Sequence, residues 1–284
     1  MKILILGVSG MLGNTLFRYF SSFKQFEVFG SLRSDEDKRY FSEQLYGHII
    51  SRVNVEDFDN LVSLFNNVRP DVVINCIGLI KQEKDVANPL ITLPINSLLP
   101  HKLAHLSELI GARLIHMSTD CVFSGSVGMY TESTFPDAND LYGRSKYLGE
   151  VDYLNAITLR TSIIGHELSG SKSLVCWFLS QMGSVKGFKK AIFSGLPTIE
   201  IAKVIRENVL PNTSLRGTYH LSVDPINKYD LLKLIARQYE KEIDIIPDES
   251  YVIDRSLNSE RFRLATGFKP KPWPQLIKEM YEFK

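Results

Sequence analysis

The sequence predicts an α/β fold, a doubly wound parallel sheet followed by a smaller C-terminal α+β region. Three observations predict it. Short apolar runs alternate with helix-patterned stretches over the first 160 residues. The first of these runs ends directly in a turn with a glycine at every third position, Gly7, Gly10 and Gly13. Beyond residue 160 the alternation gives way to glycine- and lysine-rich stretches and a tail with Pro270, Pro272 and Pro274. Strand and helix alternating in this way make βαβ units, which assemble into a parallel sheet with helices on both faces.

The elements follow in order. Lys2–Leu6 is apolar on both faces, as a buried parallel strand must be. It is also too short for the apolar region of a signal peptide. Similar runs at 26–29, 48–50, 71–75, 113–117 and 156–159 predict further strands. Between them, 11–20, 55–66, 89–110 and 141–154 carry apolar residues three and four apart, the spacing of one helix face. The second region is predicted to hold a helix over 199–210, a strand over 217–223 and a helix over 227–240.

Composition excludes several classes. The 284 residues are 44% hydrophobic, enough for a core, and carry 33 basic against 32 acidic side chains. A net charge of +1 argues against nucleic-acid binding by bulk phosphate neutralisation and against a polybasic membrane surface. No apolar run reaches the roughly 20 residues that span a bilayer. Cys76, Cys121 and Cys176 are odd in number and widely spaced, which fits neither a disulfide framework nor a zinc site. A reducing, cytoplasmic compartment is expected.

The glycine turn carries the first chemistry. Gly7, Val8, Ser9, Gly10, Met11, Leu12 and Gly13 follow a strand and open a helix. The first glycine permits the turn, the second lets backbone approach a pyrophosphate, and the third lets helix pack on strand. The free N–H groups and positive dipole end of the helix then hold the anion. With 18 glycines in 284 residues such a triplet arises by chance about 0.07 times. The second predicted strand ends in Ser31, Leu32 and Arg33 with no carboxylate at its tip. A hydroxyl and a guanidinium suit a 2′-phosphate, so NADP is expected, NADPH preferred and NADH possible. Asp35, Glu36 and Asp37 come too late and read as a charged loop or helix start. Asn54, and Cys76, Ile77 and Gly78 after Asn75, lie at carboxyl ends of strands, where such sheets bind ligands.

Tyr142 and Lys146 stand four apart on one helix face. A phenol holds its proton at neutral pH, and a nearby ammonium eases its donation. That is what reduction of a ketone by a nicotinamide hydride requires. Thr119, ending the preceding strand, can hydrogen-bond the carbonyl oxygen. Twelve tyrosines and nineteen lysines make the pattern common by itself, and Tyr229–Lys233 repeats it. The latter lies among Leu231, Leu232, Leu234 and Ile235 and reads as packing.

Together these residues resemble the extended short-chain dehydrogenase/reductase family, and within it the dTDP-4-dehydrorhamnose reductase branch of sugar-nucleotide 4-ketoreductases. The stretch from Ser118 through Thr119, Asp120, Cys121, Val122, Phe123 and Ser124 to Gly125 resembles the branch's S-T-D-Y-V-F-D-G. Tyr142, Gly143, Arg144, Ser145 and Lys146, then Gly149 and Glu150, resemble its Y-G-R-T-K and G-E. Leu159, Arg160, Thr161 and Ser162 match L-R-T-S, and Gly195, Leu196, Pro197 and Thr198 match G-x-P-T. Arg255 with Ser256, and Trp273, fall where the branch has a late arginine motif and a tryptophan. The resemblance implies a Rossmann-type nucleotide-binding fold and a Thr119, Tyr142, Lys146 catalytic set, with Tyr142 as proton donor. It implies substrate contacts near Lys81, Asp120, Cys121, Ile163, His166 and Arg255. Cys121 and Ile163 replace family aromatics, which leaves room for a bulkier sugar substituent, such as a 2-acetamido group. Some relatives hold magnesium through an early helix carboxylate; Asn14 and Thr15 stand there, and no metal is carried over.

The reading is a reductase of the 4-keto group of a UDP- or dTDP-linked 6-deoxyhexose, in cell-surface polysaccharide precursor synthesis. Residues 1–160 are expected to bind NADP, with contributions near 195–223, and 161–284 to bind substrate, discontinuously. Arg255, Arg261, Arg263, Lys269 and Lys271 are the cations available for a diphosphate. A homodimer is a base-rate expectation. Three alternatives remain open: a sugar-nucleotide epimerase or dehydratase, a non-catalytic regulatory subunit like the methionine adenosyltransferase beta subunit, and a reductase of an unrelated small ketone.

Overall fold

The computed structural model describes all residues except Lys84. Its contacts divide the chain into two units. Unit 1 is Met1–Ser118, Asn139–Leu159 and Leu215–Thr218; unit 2 is Thr119–Ala138, Arg160–Ser214 and Tyr219–Lys284.

Unit 1 is built on β1 (Lys2–Leu6), β2 (Glu27–Ser31), β3 (Ile49–Ile50), β4 (Val72–Asn75), β5 (Arg113–Thr119), β6 (Ala156–Thr161) and the start of β11 (Gly217–His220). They form one sheet in the order β11-β6-β5-β4-β1-β2-β3. β1 is parallel to both neighbours: Ile5 lies opposite Gly30 on β2 and Ile74 on β4. This is the Rossmann-type α/β fold the sequence predicts. Ile3, Leu4, Ile5 and Leu6 are all fully buried. Each contributes about 2 kcal/mol by burial, which is why this strand carries no polar side chain. Leu4 and Leu6 join Leu61, Leu64 and Phe65 of α2 (Phe58–Val68) and Leu103 and Leu106 of α4 (Leu99–Leu109) in one core. Alternation turns Ile3 and Ile5 to the other face, and α1 (Met11–Ser21) packs on β1 and β2.

Three predicted helices come out shorter or broken. The stretch 89–110 is α3 (Pro89–Thr92), a π-helical segment Leu93–Leu98, and α4. Pro94 has no N–H for the ordinary ladder, and the wider turn swings Asn96 and Ser97 inward, both buried. The stretch 141–154 ends as α5 (Leu141–Leu148) at Gly149, a position that must be glycine because the Asn96 carbonyl would stand 2.0 Å from any Cβ there. The stretch 199–210 is α7 (Thr198–Val204) followed by a π segment, Ile205–Val209.

Unit 2 mixes short strands with helices. β7 (Ile163–Ile164) pairs with β10 (Leu196–Pro197); β9 (Ala191–Phe193) lies between β12 (Ile226–Asn227) and β14 (Ile253–Asp254); and β8 (Ser184–Phe188) pairs with β13 (Asp244–Asp248). Around them lie α6 (Leu174–Ser180), α8 (Lys228–Gln238), α9 (Glu260–Thr266) and α10 (Trp273–Glu282). α10 is tied to α7: Lys271 bonds Glu200 at 2.8 Å and Glu279 at 2.9 Å, and Lys203 bonds Glu279 at 2.6 Å. On α8, Leu231, Leu232 and Ile235 are buried, and Lys233 lies over the Tyr229 ring, so this tyrosine–lysine pair is packing. Among the described residues no helix is long and apolar enough to cross a membrane.

Candidate active site

In unit 1 the strand order reverses between β1 and β4. Loops leaving the carboxyl ends on either side of such a reversal part and leave a crevice. A cavity of about 250 Å³ opens there. Gly7, Ser9, Gly10, Ser31, Arg33, Asn54, Cys76, Ile77 and Gly78 line it, as do Leu32, Val53, Val55, Glu56, Leu79 and Ile95. Gly7 has φ +81°, and a Cβ on it would meet Ile77 at 2.8 Å. A Cβ on Gly13 would stand 2.2 Å from the Gly7 carbonyl oxygen, so helix and turn touch only because Gly13 has no side chain. Gly10 caps α1 without a side chain, and its first turn carries no acid. The Asn14 N–H closes on the Gly10 carbonyl at 2.8 Å. The N–H groups of Met11, Leu12 and Gly13 therefore precede the helical ladder and suit an anion. The crevice thus fits a dinucleotide: an uncapped helix start, glycines where backbone must come close, and a cavity alongside.

Ser31 has a structural task here. Its Oγ accepts the Gly7 N–H at 3.1 Å, and the side chain is buried, so it pins the turn and keeps its proton and one lone pair for a ligand. Arg33 is exposed at the rim.

Opposite ends of α5 carry the tyrosine and the lysine. Asp140 caps the helix by accepting the Gly143 N–H at 2.8 Å. Tyr142 is half-buried one residue inside it. Lys146, one turn on, is buried, and its Nζ donates to the Met117 carbonyl at 2.9 Å. Burial lowers its pKa to about 8 against the pull of Glu150 and Cys76. Glu150 is held by the Ser118 hydroxyl at 2.7 Å. Lys146 also reaches the crevice loop, because a Cβ on Gly78 would lie 3.6 Å from its Nζ. Cys76 beside it is wall rather than nucleophile, since burial pushes its thiol up to about 12.

Two buried amides hold that loop. Asn75 Oδ1 accepts the Ile77 N–H at 3.0 Å while its Nδ2 donates to His116 Nδ1 at 3.1 Å. Burial, with Lys146 nearby, keeps His116 well below its ordinary pKa, so the ring is neutral with its proton on Nε2. Asn96 accepts the Leu79 N–H at 2.8 Å and donates to Ser145 Oγ at 3.2 Å. The π segment thereby locks the crevice loop to α5.

Unit 2 begins at Thr119. Its Oγ1 accepts the Cys121 N–H at 3.1 Å and donates to Asp120 Oδ1 at 3.2 Å. Asp120 is buried, which raises its pKa, although Arg255 and hydrogen bonds to Cys121, Thr119 and Ser162 oppose the shift. Arg255 Nε donates to the Phe123 carbonyl at 2.8 Å, and its Nη1 lies 3.8 Å from Cys121 Sγ. Ile163 sits in β7, paired with Leu196.

A family model described as the RmlD substrate binding domain matches residues 1–283. The chain belongs to this family. Among relatives of this RmlD-family chain, methionine adenosyltransferase 2 subunit beta of Mus musculus is 25% identical over 306 residues, covering 97% of this chain and 88% of the relative. The probable low-salt glycan biosynthesis reductase Agl14 of Haloferax volcanii is 30% identical over 151 residues, covering 53% and 48%. Among solved structures, dTDP-4-dehydrorhamnose reductase from Bacillus anthracis in complex with NADP superposes with a TM-score of 0.80 at 20% identity, covering 100% and 99%. At that identity the likeness shows the fold alone.

Within the RmlD-family fold, several residues expected to meet a ligand already have partners. Lys81 is ion-paired at 2.5 Å with Asp140, the cap of α5. His166 Nε2 and the Tyr239 hydroxyl are 2.7 Å apart, a half-buried pair remote in sequence. Of the cations available for a diphosphate, Lys271 is spent on Glu200 and Glu279, Arg263 bonds Ser259, and Arg261 covers the Tyr219 ring. Asn96 escaped the sequence reading. The signal that could have found it is Pro94 inside a helical pattern, which forces a local departure from the α ladder.

Proposed function

We propose that the chain reduces the 4-keto group of a nucleotide-linked 6-deoxyhexose with NADPH, in the synthesis of a cell-surface polysaccharide precursor. The observation that carries this reading is Tyr142 one helical turn from a buried Lys146 whose pKa is near 8, on a helix bonded through Asn96 to the loop of a dinucleotide-shaped crevice.

Gly7, Gly10 and Gly13 with the first N–H groups of α1 would hold the pyrophosphate, and Arg33 the 2′-phosphate. A reduced nicotinamide supplies a hydride, which goes to C4 of the hexose. The C4–O double bond becomes single, and Tyr142 gives the new alkoxide its phenolic proton. Lys146, fixed on the Met117 carbonyl, lowers the cost of that donation by its charge and can hold the coenzyme ribose. The proton lost from Tyr142 returns from solvent. Thr119 positions the carbonyl oxygen. The reductase named among the relatives and the NADP complex named among the solved structures support a nicotinamide-dependent reductase of this kind.

One observation favours a second reading. The mouse relative matched over 97% of this chain is named as a subunit of methionine adenosyltransferase. The chain would then bind a dinucleotide without turning it over. Consumption of NADPH with UDP- and dTDP-4-keto-6-deoxyhexoses separates the two. Turnover that falls about 10²–10⁴-fold in Tyr142→Phe, with coenzyme affinity kept, supports the reductase. Folded, coenzyme-binding protein that turns over nothing across the panel supports the subunit.

A further inference from the structure

The apolar stripe of α2 is wider than the core beneath it needs. Leu61, Leu64, Phe65 and Val68 are buried toward the core. Phe58 and Val62, one turn apart on the flank of the same helix, are apolar and exposed. At the end of α4, Leu109 and Ile110 are exposed too, Leu109 by 81%. A solvated helix flank is ordinarily polar, so a patch of apolar side chains shared by two neighbouring helices marks a binding surface.

These side chains line a cavity of about 610 Å³, a size that takes small organic ligands. Phe65 and Leu106 are buried in its wall. The wall follows α2 from Phe58 to the cap residue Arg69, a reach of roughly 16 Å. Its polar side chains, Asn66, Arg69 and Asp71, gather toward the Arg69 end. Asp71 Oδ2 already accepts the Lys2 N–H at 2.7 Å. Among the described residues, the Asn66 amide and the Arg69 guanidinium have no hydrogen bond or ion pair. Arg69 also holds φ +47°, the left-handed cap conformation for which glycine is the ordinary choice. A guanidinium thus stands at the end of an apolar hollow, on backbone that glycine would adopt at lower cost.

We propose that this hollow between α2 and α4 binds a medium-chain fatty-acyl carboxylate, its chain against Phe58, Val62, Leu109 and Ile110 and its carboxylate on Arg69 and Asn66. A hollow drawn out along a helix suits a linear chain, and a single cation at one end suits one anionic head. The site is separate from the dinucleotide crevice. Asp71 precedes β4 and Asn75 ends it, so about 13 Å of strand lies between the hollow and the crevice loop. The proposal stands whether or not the chain is a reductase.

Calorimetric titration of wild type, Arg69→Gly and Val62→Asp tests this, with dodecanoate, dodecyltrimethylammonium and acetate as probes. Thermal unfolding is the control for folding, and glycine takes φ +47° without strain. Wild type should bind dodecanoate at one saturable site, the cationic amphiphile about tenfold or more weakly, and acetate not at all. Arg69→Gly should raise the Kd for dodecanoate about tenfold and bring the two amphiphiles level. Val62→Asp puts an unpaired charge into the apolar wall and should abolish dodecanoate binding. No saturable binding by wild type, a Kd that either substitution leaves unchanged, or equal affinities of wild type for the two amphiphiles overturns the proposal. So does a wild type that sediments as a dimer, takes no dodecanoate and becomes monomeric in Val62→Asp, because the hollow would then seat a second copy of the chain.

Discussion

Lys146 Nζ donates to the Met117 carbonyl at 2.9 Å from a site where burial brings its pKa from 10.5 down to about 8. The shift makes a stability prediction with a definite sign. Between pH 8 and 10.5 the unfolded chain holds a proton that the folded chain has released, so this group makes stability rise with pH. Below that window both states are protonated, and the folded state bears a penalty of about 3 kcal/mol. Lys146→Met should therefore unfold at higher denaturant concentration than wild type at pH 7. Its advantage should shrink through pH 8 and vanish near 10.5. An advantage that stays level across that range would show that burial of the charge is not its source.

Arg33 makes the coenzyme prediction. It is exposed at the crevice rim, and no carboxylate at the tip of β2 competes with it. Asp35, two residues on, is neutralised locally: the Ser51 hydroxyl and Arg52 hydrogen-bond its carboxylate and hold it below the usual range. A 2′-phosphate would thus meet a guanidinium at the end of β2, with Glu56 the carboxylate among the residues that line the crevice. Arg33→Ala should weaken NADPH about 10–100-fold, the worth of one charge-assisted contact, and leave NADH nearly unchanged. Equal losses for both coenzymes would mean that Arg33 does not read the phosphate.

Arg33 at the end of β2 was legible in the sequence because it is local; the burial of Lys146 against the Met117 carbonyl, 29 residues away, was not. A strand buried on both faces reads as Ile-Leu-Ile-Leu, and a turn that must touch its own helix reads as Gly7, Gly10 and Gly13. What was illegible depends on residues distant in sequence. The stretch 89–110 keeps a helical hydrophobic pattern through its π segment, so periodicity gave no sign that Asn96 turns inward to meet Leu79 and Ser145. His166 shows the converse. A histidine after a strand suggests a ligand contact, but Tyr239, 73 residues away, takes its Nε2.

Asn96 is expected to act on both stability and coenzyme binding. Asn96→Ala strands the Leu79 N–H and removes the donor to Ser145, which should destabilise the fold by about 1–3 kcal/mol. Because Leu79 lines the crevice, coenzyme affinity should fall as well. Asn96→Asp keeps the acceptor for Leu79 but loses the amide donor, and should bind coenzyme better than the alanine variant. Thermal unfolding with and without NADPH measures both effects. If NADPH affinity is untouched while stability drops, the amide supports the helices without shaping the crevice.

Thr119 makes the sharpest demand on the proposed chemistry, because its hydroxyl is already committed. It accepts from the Cys121 N–H and donates to Asp120, so it has one lone pair left and no proton to spare. To bond a substrate carbonyl it must turn its proton away from Asp120, and a buried carboxyl whose pKa is raised gives up that bond more readily when it is itself protonated. Thr119→Ser keeps every one of these options and should retain most activity. Thr119→Val removes them all. It should lower kcat about 10²-fold, as loss of one donor to a developing oxyanion does, and cost about 1 kcal/mol through the lost cap on Cys121. The pH profile of wild type should show activity declining as Asp120 ionises, and Asp120→Asn should flatten that limb. A wild-type profile with no such limb, or a valine variant as active as the serine one, would leave Thr119 as the cap of its turn and move the carbonyl contact to another donor.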